Sequence, residues 1–200
     1  MARYKTANEI INQVALESGL PPQQNVFSTT DGAFQQLIAL TNSVGYELLQ
    51  SEHWQTFTKK HTIITDTNTD DGKYPLPDDF GYMINQTGWE KNNSEPAIGL
   101  NAQQWAMLTN FSNSPTLTVM FRLLEGQLWL YPYAESGEPV PDGLNINFEY
   151  VSRGWVQKAD PNVFADKISL PDDKILYEPY MFERLLKTRF LEARGFDSTV

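Results

Sequence analysis

The sequence predicts an α+β fold: a helical bundle of three main helices interrupted by a large β-rich insertion. Three observations carry that prediction. Residues 1–54 and 171–200 repeat apolar side chains at helical spacing. From Gln55 the pattern changes to runs rich in β-branched and aromatic residues. Within those runs lies Lys73-Tyr-Pro-Leu-Pro-Asp-Asp-Phe80, where two prolines each remove a backbone donor and bias the preceding residue toward an extended conformation. Such a tract belongs at a sheet edge or in a connection. The expected division is therefore residues 1–54 plus 171–200 as an α-helical body, and 55–170 as a β-rich insertion carrying one short helix.

Taken in order, Thr6 followed by Glu9 is a capping box, opening a helix that runs through Ser18 and closes at Gly19. Ile10, Ile11, Val14 and Leu16 form its apolar stripe. Leu20-Pro-Pro-Gln-Gln-Asn25 is a stiff connector. A second, longer helix starts near Ser28–Asp31, where hydroxyls and a carboxylate can cap it, and reaches about His53. Phe34, Leu37, Ile38, Leu40, Val44, Leu48 and Leu49 keep helical spacing along it.

Thr56–Thr65 is the first strand-like run, and Asp66–Gly72 is a turn or loop. A strand is expected over Tyr82–Glu90 and a loop over Lys91–Pro96. Asn101 caps a short helix to about Leu108, with Trp105, Met107 and Leu108 on or near its apolar side. Thr116–Leu124 and Gln127–Tyr131 form a hairpin about Glu125-Gly126, a pair suited to positive φ. Tyr131–Gly143 is a long acidic loop rich in Pro and Gly. Leu144–Val151 alternates as a half-buried strand, and Val156–Lys174 is an irregular return. A closing helix spans Ile175–Arg194, with Leu176, Met181, Leu185, Leu186, Phe190 and Leu191 on its core side, Glu183 and Lys187 as an i,i+4 pair, and Gly195 as its C-cap. Leu-Pro-Asp-Asp occurs twice, at 76–79 and 170–173, as one turn solution used in two places.

The balance of charge narrows the partners. Fifteen basic residues against 25 acidic give a net charge of −10. By region the charge is −3 over 1–54, −6 over 55–170 and −1 over 171–200, so no segment is a basic platform. Tight binding to a phosphate backbone relies on clustered Lys and Arg and is disfavoured. An acidic surface does suit the wall of a conduit that nucleic acid must slide through. The absence of cysteine excludes disulfides, thiolate metal sites and a cysteine nucleophile. No apolar run reaches the length of a membrane span, and the amino-terminal residues enter an amphipathic pattern without the apolar core of a leader, so a cytosolic origin is expected.

The motifs that would carry chemistry are partial or absent. Asp66-x-Asn68-x-Asp70-Asp71-Gly72 partly matches a calcium loop, but the glycine falls one place late and Pro77 stands where the bidentate glutamate belongs. A solvated turn is the expectation there, with no metal and no cofactor. His53 and His61 have no ligand partners at zinc-site spacing. Neither a nucleophile elbow nor a phosphate-cradling glycine loop occurs. Paired carboxylates for glycoside hydrolysis depend on spatial separation and stay open as an alternative. Trp129, Tyr131 and Tyr133 alternate along one strand edge, which fits β-core for Trp129, a sugar-stacking platform or a subunit interface.

Four stretches together resemble the head-to-tail adaptor (head completion, or connector) family of short-tailed bacteriophages. They are Ala7-Asn-Glu-Ile-Ile-Asn-Gln-Val-Ala-Leu-Glu-Ser-Gly-Leu20, Leu48-Leu-Gln-Ser-Glu-His-Trp-Gln-Thr-Phe57, Tyr74-Pro-Leu-Pro-Asp-Asp-Phe80 and the closing helix Tyr180–Gly195. The resemblance covers most of the chain. It implies a non-enzymatic virion protein, made in the host cytoplasm, that forms a dodecameric ring at the head–tail junction. Its partners would be the portal protein, the tail nozzle or tube protein and copies of itself, with DNA passing through the channel without specific binding and no membrane involved. On this reading Lys187, Arg189 and Arg194 would face the portal. Asp66, Asp70, Asp71, Glu135, Glu138 and Asp142 would face the tail, and Tyr131 and Tyr133 would lie between subunits. The alternative is a carbohydrate- or protein-binding β-module of a phage tail on a helical stalk.

Overall fold

The computed structural model of the protein describes residues 3–66, 71–111, 118–136 and 139–196. Along the chain, α1 (Ala7–Glu17) and α2 (Gly32–Ser51) come first. There follow β1 (Thr58–Ile64), β2 (Lys73–Pro75), β3 (Phe80–Met83), β4 (Trp89–Glu90), β5 (Glu95–Pro96), β6 (Ile98–Gly99) and α3 (Ala102–Phe111). The hairpin of β7 (Met120–Leu124) and β8 (Gln127–Tyr131) leads to a single turn, α4 (Tyr133–Ser136), and to the long strand β9 (Asn145–Ser152). Last come β10 (Val156–Gln157), β11 (Phe164–Ala165), β12 (Lys174–Ile175) and α5 (Pro179–Ala193).

The chain divides into two compact units, Met1–Phe57 with Arg153–Val200 and the continuous segment Thr58–Ser152. The expected three-helix bundle interrupted by one β-rich insertion is overturned. The fold is mixed α+β with three separate sheets, and β-structure occurs in both units. Residues 153–170, expected in the insertion, belong instead with the helices. The return read as irregular supplies β10, β11 and β12, which pair antiparallel in the order β11-β10-β12. Strands of two residues carry no readable period, so only their partners define them. Lys174 also bridges to Thr6, and Ile175 donates its N–H to the Lys5 carbonyl at 3.1 Å.

In the first unit the capping box forms as its sequence dictates. The Thr6 hydroxyl accepts from the Glu9 N–H at 3.2 Å, and the Glu9 carboxylate accepts from the Thr6 N–H at 2.8 Å. Asp31 caps α2 by accepting from the Ala33 N–H. α5 starts at Pro179, four residues later than its apolar pattern suggested. Pro179 suits the first helical position, and Glu178 caps the helix by accepting from the Met181 N–H at 2.6 Å. α1, α2 and α5 pack on one another around Ile10, Ile11, Phe34, Leu37 and Val44, which are completely or almost completely buried. At the heart of this unit Trp155 and Tyr177 both meet Phe182, with ring centroids 6.2 and 5.7 Å from it. The edge of Tyr177 receives Phe57 at 5.1 Å. Gly45 lets the Trp155 ring approach α2, since a Cβ there would sit 2.3 Å from it.

The second unit has three layers. One sheet runs β1-β9-β4-β5, with β3 also on β9; the other runs β2-β8-β7-β6. The two sheets share one core, built from Ile63, Ile146, Phe148 and Tyr150 on the first and Tyr74, Phe121, Leu128 and Leu130 on the second. The far face of the four-stranded sheet holds Trp129 and Tyr131, which α3 covers with Trp105 and Leu108. That sheet is thus buried on both faces. The proline tract does sit at an edge, as β2 paired only to β8. The single strand expected over Tyr82–Glu90 is broken into β3 and β4 because Gln86 adopts a φ of 62° in the turn between them. The hairpin turn at Glu125-Gly126 has φ values of 54° and 74°, the mirror-image geometry that matches strand twist.

Both Leu-Pro-Asp-Asp turns do the same work. In each, the second aspartate is drawn inward and takes a lysine ammonium: Lys59 on Asp79 at 2.6 Å, and Lys158 on Asp173 at 2.7 Å. Asp79 also accepts from Ser152 and Tyr150, and Asp173 from the Ser169 and Leu170 N–H groups. Burial alone would raise both acids, but these donors more than offset it, so each carboxyl lies below its ordinary pKa.

Candidate interaction surfaces

Two of the three cations expected to face a portal are paired with acids within their own unit. Lys187 donates to Glu17 at 3.0 Å, and Arg184 joins the same carboxylate at 3.3 Å. Arg189 bridges Glu47 on α2 and Glu192 on its own helix. Arg194 is exposed and lies over the Phe190 ring at 4.6 Å. The i,i+4 pair expected between Glu183 and Lys187 is replaced by longer-range partners, since Glu183 accepts from Lys5 at 2.7 Å. Of the three expected portal cations, Arg194 alone remains at the surface without an acidic partner among the described residues.

Of the acidic positions expected to face a tail, Asp66, Asp71 and Asp142 are exposed. Asp70 and Glu138 lie outside the described residues, as does the side chain of Glu135. The two loops that carry these acids are tied together. Thr65 donates its N–H to the Leu144 carbonyl and accepts at its own carbonyl from Gly143, while its hydroxyl donates to the Pro141 carbonyl. Gly72, at the other end of the first loop, lies against Tyr133 and Ala134. The calcium-loop reading falls largely on undescribed positions; among the described residues no cluster of three metal-ligating side chains occurs.

The subunit-facing assignment of Tyr131 is corrected. It is 4% exposed, edge-on to Trp105, and its hydroxyl donates to the Leu108 carbonyl at 3.3 Å. Tyr133 is half-buried, its side chain against the unit's core. The alternating aromatics of β8 are therefore interior residues, with Lys73 seated over the Trp129 ring at 4.2 Å. They offer no platform.

A different face does. Antiparallel register places Thr62, Asn147, Trp89 and Pro96 in one row across β1, β9, β4 and β5, all on the side of the sheet away from the core. Ile64, opposite Asn145, stands on the same side. Trp89 is 46% exposed and Ile64 is 66% exposed. Thr62 donates to the Asn147 side chain, which donates in turn to Asn145 at 2.9 Å. Beneath this row Glu90 points inward, buried, where it accepts from the N–H groups of Asn92, Asn93 and Asn145 and so fixes the β4–β5 turn. Sequence reading missed Trp89 because its face depends on partners some 60 positions away in the chain.

No protein-family model matches this chain, and no curated protein matches it. Among the described residues no helix is long and apolar enough to cross a membrane.

Proposed function

We propose that the chain is a structural head-to-tail adaptor: a ring-forming protein that joins the portal of a short-tailed phage to its tail nozzle or tube and extends the channel through which DNA leaves. The observation that carries this reading is the uncovered outer face of the five-stranded sheet, with Trp89, Ile64 and Pro96 at the surface. A folded chain leaves a tryptophan and a large aliphatic residue together on an open sheet where another protein is to cover them. A ring uses two different faces of each copy, so such a surface meets a complementary one on its neighbour. The net charge of −10 suits a wall that DNA must not adhere to.

The test is mass photometry of the 22.8 kDa chain, alone and with a purified portal ring. A closed ring, or a monomer that adds to the portal in a saturating number of copies, supports the adaptor. A protein that stays monomeric and ignores the portal overturns it. The second reading, a glycan-binding tail module, is favoured by one feature, an exposed indole beside the Asn147 amide and Thr62 hydroxyl. Glycan-array binding without portal affinity would select it.

A further inference from the structure

The second unit carries a groove of about 970 Å3, bounded by β3 on one side and by β6, the start of α3 and the end of β7 on the other. Three properties of its lining point to one kind of occupant. The first is an unused strand edge. β6 is the last strand of its sheet, and Ile98 and Leu100 donate their N–H groups to the Val119 and Phe121 carbonyls of the β7 side at 2.9 and 2.8 Å. Gly99, between them, turns its own N–H and C=O the opposite way, away from β7. The second is bare backbone over an aromatic floor. A Cβ at Gly99 would come within 3.3 Å of the Phe121 ring, so the strand at this edge lies directly on that ring and presents no side chain of its own there.

The third is charge. Among the described residues Arg122 is the only charged one in the lining, and it makes no ion pair with any of them. It stands where β6 stops covering β7, in a chain whose net charge is −10. Tyr82, Ile98 and Leu123, each exposed, line the same groove and give it apolar surface. A single guanidinium in apolar surroundings matches a single carboxylate. It does not match a polyanion, which this acidic chain repels.

We propose that this groove binds an extended segment of a partner protein in which apolar residues flank one aspartate or glutamate. The segment adds to the free edge at Gly99 through its backbone, lays its apolar side chains on Ile98, Tyr82 and Leu123, and places its carboxylate on Arg122. The inference goes beyond the adaptor reading and stands without it.

The test is to select a random linear heptapeptide display library on the full chain and to measure the enriched peptides by fluorescence anisotropy. The expected selection is for one acidic residue among β-branched or aromatic ones. Arg122→Glu should weaken binding at least tenfold with an unchanged melting temperature, and replacing the peptide's acid by lysine should restore binding to R122E. Gly99→Pro, which removes the outward donor, should also weaken binding; if that variant does not fold, because its ring crowds Phe121, the Arg122 charge exchange decides alone. A library that yields no binder, binders without an acid, or acidic binders indifferent to R122E would each overturn the proposal.

Discussion

At the scale of single residues, the decisive effects are steric and electrostatic, and both are checkable. Gly45 has no room for a methyl group, because the Trp155 ring occupies the space and the Gly45 carbonyl accepts from the Tyr177 hydroxyl at 2.9 Å. Gly45→Ala should cost about 3 kcal/mol in urea denaturation, the upper part of the usual range for overpacking; a loss within error would mean that the aromatic cluster yields easily. His61 gives a pH-dependent counterpart. Burial, opposed in part by the Asp79 charge, holds its pKa below 6.5. The folded state then binds that proton more weakly than the unfolded chain, so acidification through the ordinary histidine range removes stability. His61→Gln should flatten the fall in stability between about pH 7.5 and 5.5, a window above the range where Asp79 and Asp173 titrate. Asp79 shows how far single residues were legible. Its place in a turn could be read from Leu-Pro-Asp-Asp, whereas its ammonium partner could not, since Lys59 lies 20 positions away.

At the scale of elements, legibility followed the locality of the signal. The capping box at Thr6, the cap at Asp31 and the Glu125-Gly126 turn are all decided within a few residues, and each forms where its sequence places it. β10, β11 and β12 were invisible because two residues cannot alternate, and the start of α5 was misplaced because Ile175 and Leu176 are apolar for a sheet and its surroundings instead of for a helix. Leu16 and Met107, expected inside, are exposed at 52% and 59%; spacing alone fixes a helix face only to within one residue on either side. Two predictions belong here. The α1–α5 ion pairs on Glu17 are solvent-facing, so Glu17→Gln should cost no more than about 1 kcal/mol, and that cost should vanish in 1 M salt; a larger, salt-independent loss would indicate a structural role. On the open sheet, Trp89→Ala together with Ile64→Lys should leave the melting temperature within about 2 °C while abolishing self-association or portal binding in mass photometry. Unchanged assembly would remove that face from the interface.

At the scale of the whole molecule, the separation into two units is the main result the sequence half-anticipated. The change of period near Gln55 located the first boundary to within three residues, since β1 opens at Thr58. The second was misjudged because the stretch after Ser152 looks like loop and yet completes the first unit through Trp155, Val156 and Ile175, all fully buried. Thr58 and Val151 are direct cross-strand partners, so the inserted segment begins and ends side by side. A variant with residues 58–152 replaced by two glycines should therefore unfold cooperatively on heating and retain dispersed amide resonances. A molten product would mean that the first unit depends on the second for its structure.

The same pairing sets an order of events during synthesis. The strand β12 and the helix α5, on which α1 and α2 close, emerge from the ribosome after the inserted segment, whereas everything that segment needs is present once Ser152 has cleared the tunnel. The nascent chain thus holds its opening helices in waiting while the middle matures. A chaperone acting on this protein would meet the unshielded apolar stripe of α2, with Phe34 and Leu37 at its centre, for the whole of that interval.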